Sequence, residues 1–512
     1  MGASESRNDL PAGRREFLSR RRFLQSSALG ISGTVAAAAA TSRQASAQDA
    51  PAEVTQKETY NLVRRVPIES GYEVVVCGGG PAGAAAAVCA ARLGAKVLLV
   101  EATGCLGGMG TSGLVTAFDP MADGKRMLVG GFMREVVETM HTRGFLRPDI
   151  NPDTWRKNYH QWTPFQVEGY KLVLDEFVRK AGVEVRFFTR VIDADADPQQ
   201  GRVSGVVLQN IEGYRFIRAN TFIDATGDAV LADVCGAACR EAGRDTPAPM
   251  AATLCSLHAG IDWSRMGNQS AALNKALADG HFTQSDKHLP GMSRVNQSVG
   301  YLNGGHLFRM NALTCKDLSQ GVMLGRRIVQ EYVAFYRKYV TGCENLQLVT
   351  TGSLIGVRES RRIVGEYELN IKDYLARRQF PDQIAVFNKA VDIHPYDCTE
   401  EAYQQYYKEY NKIGRLGRGE CFGIPYGILV PKGWKNLWVA GRCNSSDVKV
   451  HGSIRVQPAA SMMGQAAGTA AVQSVRTGQP ANDLDTEQLV RTLRDGGAYL
   501  PQEQTAKKMT RA

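Results

Sequence analysis

From Glu73 to Glu101 the alternation of apolar and polar positions has one continuous reading. Glu73 to Cys77 is an apolar run behind a single acid, Gly78 to Gly83 is rich in glycine, and an alanine-rich stretch leads to a second apolar run, Val97 to Val100. Short apolar runs bounded by turns predict buried strands, and alanine-rich sequence between them predicts a helix. The order is therefore strand, turn, helix, strand, and the acid Glu101 closes it.

Further along, helical spacing of apolar residues predicts helices over Gly131 to Thr142 and Tyr170 to Lys180, with a strand over Val183 to Phe188. Val203 to Leu208 and Tyr214 to Ile217 predict a hairpin turning at Glu212 and Gly213, and Thr221 to Asp224 a separate short strand. Strand-like segments follow at Ala252 to His258 and Gly300 to Phe308, then a helix at Leu318 to Tyr339. Helices are also expected at Ala459 to Ser474 and Thr486 to Arg494, before a polar tail expected to be mobile. Between Thr351 and Leu369, Arg358, Glu359, Arg361 and Arg362 stand close together. Two readings are open there: a solvated helical face with internal ion pairs, or an Arg358 aimed at an anionic substrate or cofactor.

Each glycine of the first turn has a task. Gly78 permits the tight turn, Gly80 lets the backbone approach a pyrophosphate, and Gly83 lets the helix pack closely on the strand. The helix N-terminus then points unpaired N–H groups at phosphate. Glu101 follows Gly80 by 21 positions, where a carboxylate accepts from ribose hydroxyls. This predicts dinucleotide binding.

Several later blocks, in order, narrow that prediction: Leu106 to Met109, Asp224 to Asp228, Gly356 to Arg362, Ile424 to Tyr426, Val439 to Arg442 and Gly452 to Arg455. With the first turn they resemble the FAD-dependent oxidoreductases of the glutathione-reductase type. The closer resemblance is to the subgroup called simply FAD-dependent oxidoreductase, related more distantly to the fumarate reductase and succinate dehydrogenase flavoproteins. It covers about Tyr72 to Leu500.

The fold so implied is α/β, a Rossmann-like FAD-binding domain built from discontinuous segments with an inserted α+β substrate domain. The expected division is a leader over 1–47, a linker over 48–71, FAD-binding parts over 72–116, 166–235 and 413–480, a cap segment over 117–165, a substrate domain over 236–412, and a C-terminal helix and tail over 481–512. The resemblance implies cofactor contacts from Gly78, Gly80, Pro81, Ala82, Gly83, Glu101, Gly107, Gly108 and Met109. It extends them to Ala225, Thr226, Gly227, Asp228, Gly441, Arg442, Gly464 and Gln465, and to the backbone of Val191 at the adenine. No histidine stands near Gly107 for a covalent flavin link, so the FAD is expected to be noncovalent.

The N-terminus changes where this chemistry is expected to occur. Ser19 to Gln25, with Arg20, Arg21 and Arg22, looks like a twin-arginine export signal, followed by a mildly apolar stretch from Ser26 to Ala40 and a small-residue site at Ala45 to Ala47. That stretch is too short and too interrupted for a membrane span. A flavoprotein that folds around its cofactor before crossing the membrane has reason to use the twin-arginine machinery, so a periplasmic or secreted chain beginning near Gln48 is expected. The leader carries seven arginines against three acids, which leaves +6 of the net +10 for the remainder. No basic run with interleaved aromatics occurs in the body, which argues against nucleic-acid binding. Nor does any apolar run approaching membrane length follow the leader, so stable membrane insertion is not expected.

The eleven cysteines are scattered and include no Cys-X-X-Cys pair, so no metal or iron–sulfur site is expected. Cys105 and Cys443 fall in turns expected near the flavin, where packing, a redox thiol or a covalent link are the open readings. Hydride transfer calls for a group that stabilises charge on the reduced ring and one that handles a proton. Arg455 and His451 are the expected catalytic residues, since His451 to Arg455 resembles the loop carrying an active-site histidine in the fumarate reductase relatives. A structural His451 is the competing reading, and His306 and His394 rank behind it.

The expected function is an exported oxidoreductase that transfers a hydride between a small organic substrate and FAD, with a quinone, cytochrome or oxygen as external acceptor. The alternatives are an electron-relay flavoprotein serving a partner, and an FAD-binding protein without turnover. There is no second Gly-X-Gly-X-X-Gly unit of the strand-turn-helix kind, so no dedicated NAD(P)H site is expected.

Overall fold

The computed structural model describes residues 60–157 and 162–501. The expected leader and the end of the polar tail lie outside the described residues. The chain divides into a unit over Met1–Val63 and one over Arg64–Ala512, and everything below belongs to the second.

Its largest sheet has seven strands: β1 (Ile68–Cys77), β2 (Val97–Val100), β3 (Glu184–Arg186), β4 (Arg190–Asp197), β5 (Arg202–Asn210), β6 (Gly213–Asp224) and β7 (Leu437–Val439). The order is β3-β2-β1-β6-β5-β4, with β7 added to the end of β6. β3, β2, β1, β6 and β7 run parallel, whereas β4, β5 and β6 form an antiparallel meander. The strand expected at Thr221 and the second strand of the expected hairpin are one strand. Arg218 to Asn220 breaks the apolar pattern where β6 leaves its partner β5 and takes up β7. β1 also starts inside the expected linker, because Ile68 and Glu69 pair with Phe216 and Ile217.

Alternate residues of a strand face opposite sides. Val74 and Val76 face a core shared with α1 (Pro81–Arg92), α2 (Val167–Ala181) and α5 (Gln457–Thr477), while Val75 and Cys77 pack with Val203, Val206 and Leu208 of the meander. Both faces being covered, the run stays apolar throughout, as a parallel sheet requires. The helix Gly131–Thr142 contributes Phe132, Val136 and Val137 to the α1 core, so this part of the expected cap belongs structurally with the sheet.

Small residues bring α5 against α1. A Cβ on Gly464 would stand 2.0 Å from the carbonyl oxygen of Ala82, and one on Gly468 would stand 2.3 Å from that of Ala86. The two backbones therefore touch, with Ala84 to Ala87 wholly buried.

The inserted region holds a four-stranded antiparallel sheet, Ser293–Arg294, Gly300–Leu302, Ser256–Ala259 and Gln347–Thr351 in that order. It has its own core, to which α3 (Cys315–Tyr339) gives Ile328, Tyr332 and Val333. The hydroxyl of Thr314 accepts from the amide of Asp317 and caps α3. No described helix is long and apolar enough to cross a membrane.

Candidate active site

A cavity of about 840 Å³ opens where the parallel strands end, lined by Gly78 after β1, Glu101 after β2, Ala225 after β6 and Ala440 after β7. Ligands bind at this edge of open α/β sheets because the loops there are free to diverge. At one end the walls are Glu101, Thr103, Arg190 and Val191; at the other they are Arg358, Lys389, Asp392, His394 and Arg455.

The near end is built from backbone. Gly78 has φ of +102°, and a Cβ on Gly83 would stand 1.7 Å from the Gly78 carbonyl oxygen, so the turn closes directly onto α1. Gly80 differs, since a Cβ there would meet nothing within 4 Å. That open space lies at the N-terminus of α1, whose amides favour an anion. Glu101 Oε1 accepts from the amide and hydroxyl of Thr103 (2.7 and 2.8 Å), and Oε2 accepts from the amide of Gly79 (2.6 Å). Oε2 keeps a further lone pair for a hydroxyl donor.

Asp224, at the end of β6, organises the middle of the cavity. Its Oδ1 accepts from the amide (3.0 Å) and hydroxyl (2.7 Å) of Thr226, and its Oδ2 from the amide of Ala232 (2.9 Å). Burial pushes its carboxyl upward against these bonds. Asp228 accepts from Arg442 at 2.6 Å and from Ser360 at 2.6 Å, which ties the loops after β6 and β7 to the inserted region.

Buried cations wall the far end. Arg358 is 6 % exposed and donates to the Ala251 carbonyl and to Thr253 Oγ1 (3.0 Å). Burial, and then Arg455, lower its guanidinium to about 10, which leaves it charged at neutral pH. Arg455 is lowered mainly by burial, with Asp392 opposing, and its Nε has no partner among the described residues. Burial acts against the Lys389 ammonium, yet Asp119 at 2.7 Å and Asp392 together raise it. Directly after Arg455, Val456, Gln457 and Ala460 bring the N-terminus of α5 to the same end of the cavity.

Most sequence-predicted contacts converge here. Gly78, Gly80, Pro81, Ala82, Glu101, Gly108, Met109 and Val191 line the cavity, as do Ala225 to Asp228, Gly441, Arg442 and Arg455. Gly83, Gly107, Gly464 and Gln465 do not. Gly83 and Gly464 serve backbone contact with Gly78 and Ala82, and Gly107 donates its amide to the Gly79 carbonyl. Gln465 accepts from the amide of Phe132 and donates to the Gly496 carbonyl.

His451 is also turned away. It lies in α4 (Val448–Ile454), wholly buried, with Nε2 3.1 Å from the Arg358 carbonyl and Nδ1 without a partner among the described residues. Burial, then Arg362, hold its imidazole well below the ordinary value. The histidine that does face the cavity is His394, with His288 beside it. Cys105 and Cys443 line nothing there, and burial holds the Cys443 thiol far up.

The charged stretch after Thr351 is not a helix. Arg361–Ile363 is a strand, and Arg358, Glu359 and Arg362 are all buried. Arg362 donates to the Ser446 carbonyl at 2.6 Å and to Asp245. Lys389 and Asp392 escaped sequence reasoning, because a lone lysine or aspartate in a loop carries no periodic signal. Only His394, two residues after Asp392, marked this loop as a candidate.

These residues suit FAD: open space at Gly80 for a pyrophosphate, a carboxylate at one end for ribose, and cations with a helix N-terminus at the other for a ring that gains negative charge. The family model described as FAD dependent oxidoreductase matches residues 73–493, so the chain belongs to that family and is a flavin enzyme with FAD as its cofactor. Among solved structures, the chain is similar to a geranylgeranyl bacteriochlorophyll reductase-like protein from Thermoplasma acidophilum (12 % identity, 84 % of this chain and 85 % of that one, TM-score 0.42). It is likewise similar to p-nitrophenol 4-monooxygenase from Pseudomonas putida DLL-E4 (11 %, 86 % and 93 %, 0.40) and to a flavoprotein/dehydrogenase from Cytophaga hutchinsonii (15 %, 83 % and 82 %, 0.40). A search among curated proteins returns no match.

Two predictions follow from this geometry. Gly80→Ala finds free space in the protein, so its urea midpoint without flavin should match the parent, while FAD affinity should fall at least about tenfold as the methyl enters the pyrophosphate position. Equal FAD affinity by fluorescence titration would contradict that placement.

The second concerns pH. Burial lowers His258 to about 4 and His451 well below its ordinary value, whereas the unfolded chain protonates histidine near about 6.5. Between those values the unfolded state binds more protons, so stability falls as pH drops from about 6.5 toward 4. Each group should contribute a slope of about 1.4 kcal/mol per pH unit, measurable by urea denaturation at several pH values and shallower in His258→Gln.

Proposed function

We propose that this family member is an exported, dehydrogenase-like enzyme that transfers a hydride between a small organic anion and noncovalent FAD, with electrons leaving to an external quinone, cytochrome or oxygen. The observation that carries the substrate class is the wall of Arg358, Arg455 and Lys389 at the far end of the cavity, where Asp119 pairs with Lys389, Asp392 and Glu359 act on Arg455, and Arg358 donates to the neutral oxygens of Ala251 and Thr253. Buried cations cost much free energy unless something pairs with them, so an anionic substrate is favoured there.

FAD, when bound, supplies the ring that takes up or gives back hydride. The chain's own residues then have separate tasks. Arg358 is held rigid by Ala251 and Thr253 and orients an anionic group. Arg455 and the N-terminus of α5 favour negative charge at the reacting end. Trp162 and Tyr406 line the cavity and restrict water. Export is supported by the leader motif from Ser19 to Gln25 and by the benefit to a flavoprotein of folding before translocation.

Anaerobic mixing of the flavin-loaded protein with small carboxylates and their amide analogues tests the substrate class. A carboxylate should bleach the flavin absorbance where its amide does not, and Arg358→Lys should weaken that donor about tenfold at unchanged flavin content. Bleaching by neutral donors alone would overturn the anion reading. For export, Arg20→Lys with Arg21→Lys should retain the chain in the cytoplasm, and an unchanged periplasmic fraction would argue against the twin-arginine route.

A further inference from the structure

We infer that His288, His306 and His394 form a binding site for a divalent transition-metal ion at the substrate end of the cavity. The three offer ring nitrogens that all lie within 4.8 Å of one another. His306 and His394 are 1 % and 6 % exposed, and His288 and His394 line the cavity.

Carboxylates fix the tautomers. His306 Nδ1 faces Asp286 at 3.2 Å, and the same carboxylate accepts from the backbone amides of His306 (3.0 Å) and His288 (2.9 Å) and from the Tyr403 hydroxyl. His394 Nε2 faces Asp392 at 3.3 Å, a carboxylate also in contact with Arg455 at 3.3 Å. A carboxylate among so many donors only accepts, so the outward nitrogen of each imidazole carries the hydrogen. The inward nitrogens, His306 Nε2 and His394 Nδ1, then present lone pairs to each other across 3.1 Å. Two acceptors at that distance repel unless a cation serves both.

The separation suits a metal. With M–N bonds of about 2.1 Å, neighbouring ligand nitrogens stand about 3.0 Å apart in an octahedral shell and about 3.4 Å in a tetrahedral one. Ligating histidines characteristically give their other N–H to a carboxylate, as both of these do. His288 supplies the third nitrogen. Its ring is stacked on His306 (centroids 4.9 Å apart, 25° between planes), with a ring nitrogen within 4.8 Å of those of both partners. Imidazole donors favour zinc, copper, nickel and iron. Three protein ligands leave a position that faces the cavity, where a substrate oxygen or water can bind. The rival occupant of the gap is a proton shared by the two rings.

The experiment uses the flavin-loaded full chain, stripped of metal with a chelator. It is titrated with Zn²⁺ against a chromophoric chelator, and separately with Co²⁺ followed by its visible ligand-field bands. One equivalent should bind, and His306→Asn and His288→Asn should each weaken binding at least about tenfold, Asp286→Asn by about 10–100-fold, and His281→Asn not at all. His288→Asn removes a ring that makes no hydrogen bond among the described residues, so it keeps the test valid if the buried variants do not fold, with retained flavin absorbance as the check. Binding well below one equivalent to a fully flavinated chain, or binding indifferent to His288→Asn, overturns the site. So does a proton signal shared by His306 and His394 that persists in saturating Zn²⁺. All these readouts are independent of flavin turnover, so their failure leaves the proposed reaction standing.

Discussion

Where Gly83 has only hydrogen, a methyl carbon would sit 1.7 Å from the Gly78 carbonyl oxygen. This contact lets α1 begin immediately beyond β1 with its first amides aimed across the ends of the parallel strands. Had the helix been pushed outward by a side chain, the amides would have faced solvent and the anion-binding corner would be lost. Gly464 and Gly468 repeat the device between α5 and α1. Two helices separated by hundreds of residues thereby share one buried seam, and the N-terminus of each reaches the same cavity. The cofactor cradle is thus a product of backbone approach more than of side-chain recognition.

The far end works by a different principle. There the inserted region, joined by Arg455 between α4 and α5, sends long charged side chains inward and holds them with carbonyls and carboxylates. Arg358 leans on Ala251, Arg455 on Asp392, and Lys389 on Asp119. Each charge is costly when buried alone, and the network reduces that cost without neutralising the wall. Asp392 is the hinge of this arrangement, since it touches Arg455, Lys389 and His394. The loop that carries Lys389 and Asp392 also carries His394 of the histidine cluster. Substrate binding, charge stabilisation and the proposed metal therefore meet in a small volume supplied by segments remote in sequence.

The first turn, the two strands around it and Glu101 were legible in the sequence because their signals are local. Glycine at fixed offsets, an apolar run and a following acid each act on neighbours within a few residues. The family resemblance then extended the cradle to Thr226, Gly227, Gly441 and Arg442, all of which line the cavity. It also carried Gly464 along, since a small residue reads the same whether it admits a cofactor or another helix, and Gln465, whose amide bonds the Phe132 amide and the Gly496 carbonyl. For the charged stretch from Arg358 to Arg362 the sequence leaves two readings open, and the structure removes the helical one. Its spacing fits a solvated helix, but Arg361–Ile363 is a strand, Arg358, Glu359 and Arg362 are buried, and Arg358 lines the cavity.

By itself, then, the sequence determined the class of fold, the cofactor and the position of its phosphate corner, because those rest on short-range sterics and hydrogen bonding. Only the tertiary structure decided which histidine meets the cavity. His451 stands in the more suggestive motif, yet α4 turns it behind the wall onto the Arg358 carbonyl, while His394 comes in from an irregular loop beside His306 and His288. The direction a side chain takes depends on how distant elements pack. No local pattern of residues encodes that.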